Sequence, residues 1–268
     1  MKSTLLIVPH DFTSVGQKAL EYAIYIGKNI DVEIHLVHIV GKEALISDAQ
    51  HKLDAIIAEI PTKSNVSFSS NVIIGNIFSD IGKYAEENKA LLVVMGTHGM
   101  KGTQRIFGSF AMKVIDSTKV PFLIVQEDTI LTEIKHIAAF IDTNNESIQI
   151  IGICSYISAI LGAKISILYE KVTDIAFRNR INIHKGIITD SCERVGAEFE
   201  FVELDDSKST LGNINKFMNN SDSDMIAISN YSESLFKQFD TFSQNLITNK
   251  LSKPCLIINA TETSNSYF

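Results

Sequence analysis

Short apolar runs alternate along this chain with longer stretches of helical period. Leu5-Leu6-Ile7-Val8 ends at Pro9, and Ser14 to Asn29 then places Ala19, Leu20, Ala23, Ile24 and Ile26 on one broad apolar face. Val32 to Val40 reads as a second strand, Glu43 to Ile60 as a helix, and Val66 to Ile74 as an alternating strand that turns at Gly75. Asn76 to Glu87 predicts a helix, Leu91 to Met95 a strand buried on both faces, Gly108 to Thr118 a helix, and Phe122 to Val125 a fifth strand. Short β-branched runs alternating with helices predict βαβ units and a parallel sheet. Right-handed crossovers place helices on both faces of such a sheet.

The order then repeats. Ile137 to Ile141 reads as a strand, Ser147 to Leu161 as a helix, Lys164 to Tyr169 as a strand, and Asp174 to Val195 as mostly helical. Glu198 to Leu204 alternates, Asn213 to Met218 is a short helix, and Met225 to Ile228 a strand. Phe236 to Lys250 predicts a helix and Cys255 to Ile258 the last strand. Asp11 and Asn144, Gly96 and Ser229, and Pro121 and Pro254 each lie 133 positions apart. Each of the two prolines stands just before an apolar strand, where a missing N–H costs least. The pattern predicts two copies of one α/β domain, residues 1–127 and 134–268, joined near Glu127 to Glu133.

Composition narrows the function classes. With 24 basic and 31 acidic residues the formal charge is −7, which gives no general attraction to nucleic acid or anionic lipid. Cys154, Cys192 and Cys255 show no paired spacing, which suits a reducing cytoplasm and small core residues. Cys192, flanked by Ser191 and Glu193 on a helix, is the one that could be exposed. The run before Pro9 is too short for a signal-peptide core. The uncharged stretch from Ser147 to Ala163 falls short of the roughly 20 apolar residues of a membrane helix.

The stretch richest in chemistry runs from Gly96 to Ser109, leaving an apolar strand and leading into a helix. It therefore occupies a loop at the carboxyl edge of the sheet, where open α/β folds bind ligands. Its glycines permit close backbone approach, and free N–H groups near Gly108 and Ser109 would face an anion. Ser109 fits a helix N-cap as well as a phosphate ligand. No nucleophile with an orienting carboxylate accompanies His98 nearby, the seven histidines show no HxxxH or HExxH spacing, and no Gly-Lys-Ser/Thr follows the glycines.

Leu-Leu-Ile-Val-Pro-His-Asp-Phe-Thr-Ser at the start and Met-Gly-Thr-His-Gly…Gly-Ser before the fourth helix resemble the universal stress protein family, in its tandem form. The resemblance covers the first 127 residues and, more weakly, the rest. It implies two doubly wound, Rossmann-like domains, each with five parallel strands in the order 3-2-1-4-5. It also implies a cytoplasmic, non-enzymatic stress-response module that binds ATP or another adenine nucleotide, with Mg²⁺ accompanying it, in the first domain. Gly96, Gly99, Gly108 and Ser109 match the family's phosphate loop, with Met95 and Phe110 flanking it. Pro9, His10 and Asp11 match the ribose and adenine side, and Ile39 the position whose backbone reads adenine. The terminal strand of each copy, apolar throughout, implies an intramolecular pseudo-dimer, with a homodimer beyond it also open.

Two departures bear on this reading. Eight residues separate Gly99 from Gly108 where the family's pattern has nine, shortening the arc by up to ~3.5 Å of chain. A triphosphate in an altered pose, a smaller phosphate or no ligand all stay open, and Lys101 and Arg105 offer compensating charge. In the second copy Ser229, Ser232, Thr241 and Phe242 replace Gly96, Gly99, Gly108 and Ser109, and Asn144 replaces Asp11. Positive φ is costly for residues other than glycine, so the second copy is expected not to bind nucleotide in this manner. The alternatives to a nucleotide-binding regulator are a nucleotide-free interaction protein and a slow ATP hydrolase.

Overall fold

A computed structural model describes residues 4–61, 65–97, 107–204, 209–231 and 241–261. The chain divides into two compact units, Met1–Leu131 and Thr132–Phe268. The first contains β1 (Thr4–Pro9), α1 (Ser14–Gly27), β2 (Val32–Val40), α2 (Ile46–Ala58), β3 (Val66–Ile74), α3 (Ile77–Glu87), β4 (Leu92–Thr97), α4 (Phe107–Ile115) and β5 (Phe122–Gln126). β2 pairs with β3 and β1, β1 with β4, and β4 with β5, every pairing parallel. This is the α/β class that the alternation of runs predicts.

Local chemistry explains the boundaries. The Thr13 hydroxyl accepts from Gly16 N at the start of α1, and Asn76 accepts from Phe78 N at the start of α3. The predicted helix from Gly108 to Thr118 begins one residue earlier and ends at Ile115. Its continuation is broken because the Ser117 hydroxyl returns to Val114 O and the Thr118 hydroxyl donates to Glu86. Leu6, Ile7, Val8, Leu92, Val93 and Val94 are wholly buried. Burying each side chain is worth about 1.5–3 kcal/mol, which explains why the central strands are apolar at successive positions. The segment after β5 returns along α1, with Lys18 Nζ donating to Glu127 O and Thr129 O and the Tyr22 hydroxyl to Ile130 O.

The second unit contains β6 (His136–Phe140), α5 (Ile150–Leu161), β7 (Lys164–Glu170), α6 (Ile175–Val195), β8 (Phe199–Leu204), α7 (Thr210–Asn220), β9 (Met225–Asn230), α8 (Thr241–Ile247) and β10 (Cys255–Asn259). β7 pairs with β8 and β6, β6 with β9, and β9 with β10, again all parallel. α5 and α6 end on Gly162 and Gly196 at φ 68° and 71°, the left-handed stop that glycine provides.

Three expectations need correction here. The helix expected from Ser147 opens as a 3₁₀ turn over Asn145–Gln149, because the Ser229 hydroxyl donates to Ser147 O and accepts from Ile150 N. The helix expected over Phe236 to Lys250 is described from Thr241 and stops at Ile247. There the Asn249 side chain donates to Leu246 O and Lys253 O and closes the turn, while positions 236–240 lie outside the described residues. Cys192 is buried, not exposed, because it shares the inward stripe of α6 with Ile181, His184 and Ile188.

Candidate functional site

The carboxyl ends of β1, β2 and β4 in the first unit converge on a cavity of about 490 Å³. Pro9, His10, Asp11, Ile39, Met95 and Gly96, all anticipated as site residues, line it. Val15, Gly16, His38, Gly41, Gly75, Asn76 and Ile77 join them without having been anticipated as ligands. Their presence follows from register: Pro9 lies beside Val37, and Val40 beside Ile74, so the turns after all three strands face one space. Gly99 lies outside the described residues, as do Lys101 and Arg105.

The loop after β1 is locked by its neighbours. The Asp11 carboxylate accepts from Thr13 N at 3.1 Å and from the Thr13 hydroxyl at 2.5 Å, which orients the residue that caps α1. His10 Nδ1 accepts from Phe12 N at 3.1 Å, so its neutral ring carries the proton on Nε2. Burial lowers the His10 pKa below the ordinary histidine value, outweighing the opposing pull of Asp11. His38 Nδ1 faces His10 O at 2.7 Å and therefore donates, leaving Nε2 as the ring's acceptor in the neutral form. Phe12 adopts φ 64°, a conformation costing roughly 1–2 kcal/mol for a side-chain-bearing residue. Its ring lies 4.4 Å from that of His38, a contact that offsets part of the cost.

Glycines set how closely these parts approach. A Cβ on Gly96 would stand 2.6 Å from Val15 O, and one on Gly16 would stand 2.8 Å from Asp11 Oδ1. Gly96 is therefore required by the packing of α1 on β4, whatever ligand the cavity takes. Asp11 is the one charged side chain among the described lining residues, and Ile39, Val40, Ile77, Ile81 and Met95 supply an apolar wall.

Two anticipated residues sit elsewhere. Ser109 lies within the first turn of α4, so it is not the N-cap, because the helix already begins at Phe107. Phe110 is turned toward α3, its ring 5.1 Å from Phe78 with Lys113 Nζ 5.5 Å above it, and neither residue is part of the cavity lining. Gly108 is the second residue of α4.

The equivalent place in the second unit is knit together by its own side chains. Asp142 stands where the first unit has Asp11, because Ile137 pairs with Met225 as Leu6 pairs with Leu92, which corrects the expected match of Asn144 to Asp11. Its carboxylate accepts from the Tyr231 hydroxyl and from Asn144 N, as that of Asp11 accepts from Thr13 N. Asn144 Nδ2 also donates to the Tyr231 hydroxyl at 3.3 Å. From α6, His184 Nδ1 lies 3.1 Å from Asp142 O and Arg180 donates to Thr143 O. Phe242 rests against Phe140, with 5.7 Å between the ring centroids.

Comparison with known proteins accounts for the frame. Residues 5–126 match the Universal stress protein family. The first unit is a universal stress protein domain. A universal stress protein of Methanocaldococcus jannaschii is 28% identical over 139 residues, covering 46% of this chain and 81% of that protein. Over the whole length, a universal stress protein from Archaeoglobus fulgidus superposes with a TM-score of 0.72 at 14% identity, covering 97% of this chain and 99% of that one. A functionally unknown protein from Pseudomonas aeruginosa gives 0.64 at 13% identity, over 97% and 93%. These likenesses establish the fold of both units, and a tandem of universal stress domains fits the chain's length and doubled sheet order. No helix among the described residues is long and apolar enough to cross a membrane.

Proposed function

We propose that the first universal stress domain binds an adenine nucleotide, one per chain, and that the protein regulates through the bound state and not through turnover. The observation that carries this reading is the asymmetry between the two carboxyl edges. One holds a cavity of about 490 Å³ with an apolar wall and a carboxylate, and the other is crossed by the Asp142–Tyr231–Asn144 bonds. In this reading the base lies against Ile39 and Met95, Asp11 takes the ribose hydroxyls, and the phosphates extend toward Gly96 and the start of α4. Mg²⁺ would be held by phosphate oxygens with Asp11, since no group of three or more metal-binding side chains occurs among the described residues.

Regulation is favoured over catalysis because Asp11 is the single carboxylate of the described cavity wall and is already engaged by Thr13. Titration calorimetry with ATP·Mg²⁺ and with AMP tests the reading. One site per chain is expected, weakened tenfold or more by Asp11→Asn, which keeps the turn acceptor but removes a charged hydrogen bond of about 1.5–3 kcal/mol. Gly108→Val should abolish binding and Thr241→Val should leave it unchanged. Two sites per chain, or no binding of either nucleotide, would refute the proposal. Phosphate release abolished by Asp11→Ala would turn it toward a slow hydrolase.

A further inference from the structure

Helix α6 presents a second, outward stripe on the side opposite its buried one. Ala176, Arg180, Ile183, Ile187, Asp190 and Arg194 are all exposed and follow one another at alternating steps of four and three. That is the spacing of a coiled-coil seam. Ile183 and Ile187 are 63% and 49% exposed, large values for branched side chains in the middle of a helix. Gly186 lies between them, and a Cβ there would meet nothing within 4 Å, so the surface beside the two isoleucines is open.

We propose that this stripe pairs two copies of the chain, helix against antiparallel helix, about a two-fold axis level with residue 185. The occupant is argued from the stripe's own symmetry. Read outward in both directions from residue 185, Ile183 matches Ile187, Arg180 matches Asp190, and Ala176 matches Arg194. In an antiparallel pair Ile183 therefore meets the partner's Ile187, forming two central apolar layers. Arg180 then meets the partner's Asp190, and the two-fold axis makes that ion pair twice. The outermost layer sets the small Ala176 against the aliphatic stem of the partner's Arg194. Antiparallel alignment also opposes the two helix dipoles. Arg180 is held for this role, since one guanidinium N–H already donates to Thr143 O at 3.3 Å while the others remain available. A parallel pair would set Arg180 against Arg180 and Asp190 against Asp190, so charge selects the antiparallel form. Such a surface is self-complementary, as a two-fold interface must be.

A single helix pair falls below the roughly 1,200 Å² of standard interfaces, so the association is weak and concentration-dependent. Sedimentation equilibrium of the full chain over micromolar to near-millimolar concentrations tests it. The weight-average mass should climb from 29.7 kDa toward twice that value. Ile183→Glu, at an exposed position, should hold the chain monomeric with an unchanged far-UV spectrum. Arg180→Asp and Asp190→Arg should each weaken dimerisation about tenfold or more, and the double variant should restore it. A monomer at every concentration, a dimer indifferent to Ile183→Glu, or a double variant no better than its parents would overturn the proposal.

Discussion

Replacing Gly96 by alanine probes both the fold and the site. The added methyl would stand 2.6 Å from Val15 O, 2.8 Å from Val15 Cγ2 and 2.9 Å from Val15 C. Ordinary contact begins at 3.4 Å, so the first turn of α1 must retreat from β4 by roughly 0.8 Å, and backbone cannot rotate aside as a side-chain tip can. Overpacking of this kind costs about 1–3 kcal/mol. With a urea dependence of about 1–3 kcal/mol per molar, the first unit's midpoint should fall by about 1 M. Two units need not unfold together, so the readout is hydrogen exchange in urea on peptides from α1, with α5 as internal control. The reverse swap gives a second arm. Ser229→Gly removes the bonds to Ser147 O (3.0 Å) and Ile150 N (3.2 Å) and should destabilise α5 by about 1–3 kcal/mol while sparing α1. A Gly96→Ala midpoint within ~0.2 M of wild type would refute the reasoning, because the close approach of α1 to β4 would then be unnecessary.

Further outcomes follow from burial. Burial pushes the thiols of Cys154 and Cys255 far above the ordinary range and that of Cys192 up to about 11, so an aromatic disulfide reagent at pH 8 should find no fast thiol until denaturant releases three; one fast equivalent would contradict this. His184 is buried and its pKa is lowered, chiefly by desolvation, so the unfolded chain takes the proton first as pH falls below about 6.5, and stability declines by at most about 1.4 kcal/mol per pH unit. The protection factors of α6 amides, which discount the slowing of intrinsic exchange in acid, should therefore fall between pH 7.5 and 5.5 in wild type, and that acid slope should flatten in His184→Gln; an equal slope in both would count against it. Asn65 Nδ2 donates to Gly27 O, Lys28 O and Ile30 O at 2.9–3.0 Å, so Asn65→Ala should lower first-unit stability by about 1–3 kcal/mol in the same exchange experiment, and no change would show these carbonyls satisfied by water.

What sequence discloses depends on how far apart the deciding residues lie. The apolar runs 5–8 and 92–95 announce buried parallel strands because burial on both faces leaves no polar position to alternate with. Asp11, Ile39 and Gly96 meet in space for an equally local reason, each following or ending a strand whose carboxyl end faces the same edge. The 3₁₀ turn at Asn145–Gln149 had no local signal, since it is shaped by Ser229, 82 positions away. His38, Gly41, Gly75 and Asn76 escaped notice because their place at the cavity depends on the β2–β3 register. Cys192 is the instructive failure. Its neighbours Ser191 and Glu193 suggested exposure, yet Ile181 and Ile188, eleven and four positions earlier, already mark it as part of the inward stripe.

The two units show how few side chains separate an open carboxyl edge from a closed one. Asp11 and Asp142 occupy the same place in the two units, and each carboxylate accepts from the N–H two residues on. The half-buried Asp142 carboxylate needs hydrogen bonds beyond that one. It takes one from the Tyr231 hydroxyl, and that bond runs across the mouth between β6 and β9. In the second unit the chain opens as the 3₁₀ turn Asn145–Gln149 where the first unit packs the start of α1 tightly on β4. Ser229 can then stand where Gly96 was required, its hydroxyl satisfying the backbone that a 3₁₀ turn leaves exposed. The substitutions are thus mutually supporting and not independent losses. The second unit already holds its aspartate in Asp142, so Asn144→Asp would only add a second carboxylate beside it while leaving the Tyr231 bridge and Phe242 in position. Reopening the edge demands that the bridge be removed first.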